Sequence, residues 1–126
     1  MSDAPEAPVR PVPAFDPPYY MAVFTTVRSE EQSGFGETDA RLEELVRGIP
    51  GFLGAEHAQN PGGLGITVAY FRDADALARW GEHAEHRAAQ KRGREQWYES
   101  YTLHVGRVER SNEFVRAAPN RGTHDR

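Results

Sequence analysis

Apolar and β-branched residues run without a charge from Tyr20 to Val27, at odd and even positions alike. That pattern predicts a strand covered on both faces. Residues 28–37 are polar and glycine-containing, and read as a loop. Thr38 or Asp39 then offers a cap for a helix running to about Arg47, with Leu42, Leu45 and Val46 as its apolar stripe. Gly48 sits where a terminating glycine belongs, and Pro50 prevents continuation. Phe52 to Gln59 predicts a second strand, Asn60-Pro-Gly-Gly63 a tight turn, and Leu64 to Phe71 a third strand. Asp73 caps a second helix with Leu77, Trp80 and Ala84 along one face. Its pattern continues, with room for a break, to Arg92, and Gly93 reads as its C-cap. Tyr101 to Val108 is a fourth strand, with Thr102, His104 and Gly106 on one face and Tyr101, Leu103 and Val105 on the other.

The order β-α-β-β-α-β predicts a ferredoxin-like α+β domain, an antiparallel four-stranded sheet with two helices on one face. Phe24, Ile66, Val68, Tyr70, Leu103 and Val105 leave neither sheet face polar. Two helices cover one face, so the other needs a second cover, most economically another copy of the same sheet. A homodimer is therefore expected.

Composition bounds the function. With 126 residues the chain has material for one core. Residues 19–116 form the expected domain, between a proline-rich flexible tail over 1–18 and a polar flexible tail over 117–126. Six of the nine prolines fall in the first tail and exclude helix there. It reads as a solvated leader, or as an arm laid across a partner with Phe15 as anchor. A net charge of −4 argues against a nucleic-acid partner, which requires a basic face. The absence of cysteine removes disulfides and thiol catalysis. No apolar run approaches the ~20 residues that cross a bilayer, and no apolar stretch like a signal peptide opens the chain. A location in the cytoplasm without membrane attachment is the expectation.

From Tyr20 to Phe114 the chain carries Pro50-Gly-Phe-Leu-Gly54, Gly65-Ile-Thr-Val-Ala-Tyr70 and Trp80-x2-His83-x2-His86 followed by Ala89-Gln90. Gly93-Arg94, Trp97-Tyr98, Tyr101 and Arg107-Val-Glu-Arg110 complete the set. These residues resemble the antibiotic biosynthesis monooxygenase (ABM) superfamily, in particular its subgroup of heme-degrading-monooxygenase-like proteins. The resemblance implies a dimeric α/β barrel and a pocket between helices and sheet, with Trp80 in or beside it. The haem-degrading branch uses an Asn on the first strand, a Trp on the second helix and a His ten residues later. Trp80 matches, but the later position is Gln90 and residues 20–27 hold no Asn. Haem is therefore the disfavoured cofactor, and no cofactor is the expectation. Another branch oxidises polyphenols without metal or flavin; Trp80, Tyr98 and Tyr101 could serve there, although no Asn is placed to match.

His83 and His86 are the candidate bases, with Trp80 beside them as the third catalytic candidate. The histidines are neighbours at i, i+3, but they lack the His-Glu-x-x-His zinc spacing and a third ligand, so no metal is expected. On an ideal helix His86 points away from Trp80, and a break after Ala84 would turn it inward. Trp80 and Trp97 fit a core role and equally a wall for a planar ligand. Phe24, Gln90, Tyr98 and Tyr101 are the remaining candidates for contact with an aromatic small molecule. Strand alternation places Tyr98 and Tyr101 on opposite sides. His57 and His104 read as sheet or interface histidines, and Arg94, Arg107, Glu109, Arg110 and Glu113 as charges bridging protomers. The expected activity is oxidation of a planar, quinol-like molecule by dioxygen. The alternatives are a haem-binding or haem-degrading protein and a non-catalytic ligand-binding or stress-associated dimer.

Overall fold

The computed structural model describes residues 9–117. In chain order it contains β1 (Tyr19–Arg28), α1 (Phe35–Arg47), β2 (Phe52–Gln59), β3 (Leu64–Phe71), α2 (Ala74–Glu82) and α3 (Ala84–Arg92). A π-helical turn over Gly93–Trp97 leads into β4 (Tyr98–Val108). The strands form one antiparallel sheet in the order β2-β3-β1-β4. This is the ferredoxin-like α+β arrangement, with the helical layer in three pieces where the sequence pattern gave two.

Register decides what each sheet face carries. Ala22 lies opposite Ala69 and Val105, and Phe24 opposite Thr67 and Leu103, so these side chains share the helix-facing side. Val23 opposes Val68 and His104, and Thr25 opposes Ile66, on the outer side. The core joins the two layers at one end. Val46 of α1, Phe71 of β3 and Ala76 of α2 are buried together, with Ile49, Phe52, Leu77 and Trp80 packed around them. Burying one such large side chain contributes roughly 1.5–3 kcal/mol. The outer face has no comparable cover: Val27, Leu64 and Ile66 are exposed. No helix among the described residues is long and apolar enough to cross a membrane.

The starts of α1 and β4 differ from the sequence expectation, each for a local reason, whereas α1 and α3 end at the expected glycines. α1 starts at Phe35, after a left-handed Gly34 (φ 79°). Phe35 seats its ring edge-on against Trp97 at 5.4 Å, a distant contact that draws the helix forward. Thr38 and Asp39 thus lie inside the helix and do not cap it. Gly48 keeps a right-handed conformation (φ −85°). The left-handed residue is Gly51 (φ 93°), where a Cβ would stand 2.8 Å from that of Ala76. Gly93 is right-handed as well and continues the helix into the π turn. β4 begins at Tyr98, three residues early. Asp73 does cap α2, its Oδ1 accepting the Ala76 N–H at 2.8 Å.

Residues 1–8 and 118–126 of the two tails lie outside the described residues. Residues 9–18 pack against their own chain. The Val12 N–H donates to Glu56 Oε2 at 2.7 Å, and Phe15 packs edge-on against Tyr19 at 5.6 Å. Phe15 is thus anchored within its own chain. Gly51→Ala should lower the stability measured by denaturant unfolding by about 1–3 kcal/mol, the usual size of a forced left-handed conformation.

Candidate functional site

Between the helices and the sheet lies a cavity of about 210 Å³. Ala22 and Phe24 of β1, with Ala69 and Phe71 of β3, form its floor. α1 contributes Leu42, α2 contributes Leu77 and Trp80, and α3 contributes His86 and Gln90. Leu103 and Val105 of β4 also line it but remain half exposed, so the cavity opens along this edge strand. An engineered apolar cavity of about 150 Å³ holds benzene. This one therefore suits a ligand of one or two fused rings.

His86 is the basic group on the wall. The backbone turns extended at His83 (φ −61°, ψ 129°), which ends α2 and starts α3 in a new direction. The break falls one residue before the expected place, and it swings His86 onto Trp80. Their rings stack at 4.2 Å between centroids and 12° between planes. His86 Nδ1 lies 2.9 Å from the Trp80 carbonyl oxygen. A carbonyl only accepts, so Nδ1 carries the proton and donates. In the neutral ring, Nε2 is then the lone-pair nitrogen, and no protein group among the described residues bonds it. Burial holds the imidazole pKa below its ordinary 6.5; the bond to the Trp80 carbonyl opposes this, and the nearby His83 adds to it. His86 is a neutral base at pH 7.

Of the other sequence candidates, Phe24, Gln90, Trp97 and Tyr98 line the cavity together with Trp80. Trp97 is fully buried, and its ring N–H donates to the Ser33 carbonyl at 2.9 Å. His83 and Tyr101 are not among the lining residues. His83 Nδ1 accepts the Glu85 N–H and caps α3. The Tyr101 hydroxyl meets Arg94 at 3.3 Å. Tyr98 and Tyr101 nevertheless pack together, 5.9 Å apart, and both touch Phe24. A register shift between Val27 and Arg28 inserts a residue in β4, so simple alternation fails there. His57 meets Thr67 Oγ1 at 2.8 Å, and Arg107 pairs with Glu109 of its own chain at 3.3 Å.

Sequence reasoning missed a polar group on the α1 wall, Thr38 and Asp39. Reading either as a cap concealed that a helix begun at Phe35 turns both toward the sheet. Asp39 is an exposed residue on the cavity wall, yet its carboxyl is desolvated enough to raise its pKa. His57 and Arg28 pull it down, and Glu43 pushes it up. The Tyr98 phenol is raised too, first by burial and then by the Asp39 charge.

Among the described residues no group of three or more His, Asp or Glu side chains is placed to hold a metal ion. Haem fits this site badly. The cavity is smaller than the ~300–1,000 Å³ of sites for drug-sized ligands. Gln90 also offers only an amide at the position where the haem-degrading branch carries its histidine.

A four-stranded antiparallel sheet, with a mostly apolar cavity under its helices that bears one imidazole, defines a ferredoxin-like domain with an internal cavity. A sequence model of the antibiotic biosynthesis monooxygenase family matches residues 18–92. The chain is also 46% identical over 99 residues to the uncharacterized protein YqjZ of Bacillus subtilis, a match covering 79% of this chain and 87% of that protein. The chain belongs to the antibiotic biosynthesis monooxygenase family. Among solved structures, a protein from Shewanella oneidensis matches with a TM-score of 0.64 at 13% identity, covering 72% of this chain and 91% of that one. SnoaB, a cofactor-independent oxygenase from Streptomyces nogalater, matches with a TM-score of 0.62 at 15% identity, covering 79% and 100%. At these identities the likeness to both structures is one of fold.

The lowered pKa of His86 has a consequence for stability. Between its folded pKa and 6.5 the unfolded chain binds more protons than the folded one, so this group makes stability fall as pH drops through that window. Melting temperatures measured from pH 7.5 to 5 should decline less in His86→Gln than in the native protein.

Proposed function

We propose that this protein is an oxygenase that oxidises a planar, quinol-like aromatic molecule with dioxygen, using His86 as the base. One observation carries the reading: a neutral imidazole on an aromatic cavity wall, its Nδ1–H tied to the Trp80 carbonyl and Nε2 left to accept. Trp80, Phe24 and Tyr98 hold the ring by stacking and edge contacts. Gln90 and Trp97 complete the walls.

In this scheme the substrate hydroxyl gives its proton to His86 Nε2. The resulting anion passes one electron to dioxygen, leaving a substrate radical beside superoxide. An apolar cavity keeps the pair from water and from each other's escape. Collapse of the pair forms a carbon–oxygen bond, and His86 returns its proton to the peroxide oxygen. The hydroperoxide then eliminates water, taking the ring hydrogen. One oxygen atom ends in the product carbonyl and the other in water. The ring supplies every electron, so no outside reductant enters. The description of SnoaB as a cofactor-independent oxygenase supports this reading.

The functional unit in this proposal is a homodimer in which the outer sheet face of each chain covers that of the other. Val23, Val27, Leu64, Ile66 and Val68 form an apolar field there, and no element of the same chain lies over its centre. A cytoplasmic setting belongs to the same proposal.

An oxygen electrode with a panel of mono- and bicyclic quinols tests the chemistry. Turnover should appear with at least one of them, and His86→Ala should slow it by about 100- to 10,000-fold. An unchanged rate in that variant would remove His86 from the mechanism. For the assembly, analytical ultracentrifugation should find a dimer, and Ile66→Glu should shift it to monomers.

A further inference from the structure

The cavity holds more polar chemistry than a single base requires. Asp39 and Thr38 face it from α1, Tyr98 from the start of β4 and Thr67 from β3. The Thr67 hydroxyl is engaged by His57 Nδ1 at 2.8 Å. The Asp39 carboxylate and the Tyr98 hydroxyl make no hydrogen bond or ion pair with any described residue. Both groups line the same cavity, and the Asp39 charge adds to burial in raising the Tyr98 pKa. Arg28, the neighbouring guanidinium, is stacked over Phe35 at 4.5 Å and is not part of the lining. No Lys or Arg lines the cavity at all.

We propose that Asp39 sets the specificity of the cavity, selecting neutral aromatic ligands that carry a second hydrogen-bond donor and rejecting aromatic carboxylates. The inference rests on the cavity being the ligand site proposed above. Asp39 is exposed where it lines the cavity, and a ligand that displaces water from its carboxylate must supply a donor in its place. A ligand hydroxyl restores that bond, with the charged acceptor strengthening it. The Tyr98 hydroxyl, in the same lining, is a second polar group for the ligand. His86 accepts from the reacting hydroxyl on a separate wall, formed by α3. An anionic ligand meets the opposite situation: the lining sets the Asp39 charge against it and offers no Lys or Arg, so its own desolvation is not repaid. Neither acceptor demands a particular ring, so the selection acts on substituents.

Quenching of tryptophan fluorescence measures binding directly, because Trp80 and Trp97 both line the cavity. The probes are 1,5-dihydroxynaphthalene, 1-naphthol and 1-naphthoate, which share a ring and differ in the polar group. The native protein should bind the diol about tenfold more tightly than the mono-ol, the gain from one hydrogen bond to a charged group. It should bind the naphthoate most weakly. In Asp39→Ala the preference for the diol should fall to within about twofold of unity, and the naphthoate should gain affinity relative to 1-naphthol. Alanine suits the interior of α1, and circular dichroism checks that the variant is folded. The same diol preference in native and variant proteins overturns the role of Asp39 while leaving the cavity reading intact. Binding of none of the three probes by the native protein overturns both. Selective binding without oxygen uptake supports the role of Asp39 and counts against the oxygenase chemistry alone.

Discussion

The imidazole of His86 lies flat on the indole of Trp80, and that contact exists only because the helix between them is broken. Six residues on a straight helix turn through about 600°, which leaves two side chains on different faces. At His83 the backbone leaves the helical region, so the Trp80 carbonyl no longer meets the N–H four residues on. It accepts instead from the His83 N–H at 3.2 Å and from His86 Nδ1. The break thus frees an acceptor and aims the imidazole at it in one step. A helix C-terminus concentrates such carbonyls and their partial negative charge, which suits an N–H donor. His83 stabilises the restart by capping α3 with its own ring nitrogen. The Arg41–Glu85 ion pair at 3.1 Å fastens α3 to α1 at the surface, a contact of little energy but fixed direction.

The other side of the cavity depends on a second irregularity. The π turn over Gly93–Trp97 widens the helix end and buries Trp97, whose ring supports Phe35. A Cβ on Gly93 would stand 2.6 Å from the Tyr98 ring, so glycine is what lets the phenol fold back toward the cavity. The register shift opposite Arg28 then carries Tyr98 and Tyr101 to the same side of β4. A regular helix followed by a regular strand would have separated them. Both devices are local departures from periodicity, and both set a side chain that lines the cavity.

That explains what could be read from the sequence and what could not. Residues 20–27, the turn at Asn60-Pro-Gly-Gly63 and the Asp73 cap each rest on short-range rules, and the strands and hairpin follow from them. So did the absence of a polar sheet face. The start of α1 did not, because Phe35 is recruited by Trp97, sixty residues away in the chain. Asp39 was hidden by the same error, since a cap and a cavity residue look alike until the helix start is known. The inward turn of His86 was legible only as a condition on a helix break. Nothing in Glu82-His83-Ala84 marks a break as Pro would: all three residues tolerate helix, and tertiary contacts decide. Gly48 and Gly93 do stand at the helix ends the sequence marks, although both keep right-handed backbone.

The cavity and the bare outer face belong to one balance. Among the described apolar residues only Tyr19, Val46, Phe71, Ala76 and Trp97 are buried. Leu42, Leu77 and Leu103, which would close the middle of a solid core, line the hollow instead. At ~24 cal/mol per Å³, a dry hollow of this size forgoes on the order of 5 kcal/mol, and water entering from the β4 side reduces the figure. Such a loss compares with the whole stability of a small domain, roughly 5–15 kcal/mol. A fold this hollow must gain burial elsewhere, and its sheet presents valines and isoleucine where a self-sufficient monomer would present polar groups. In the proposed homodimer the outer face carries the stability that the hollow inner face gives up. A ligand filling the cavity shifts the same balance, because it binds the folded state alone.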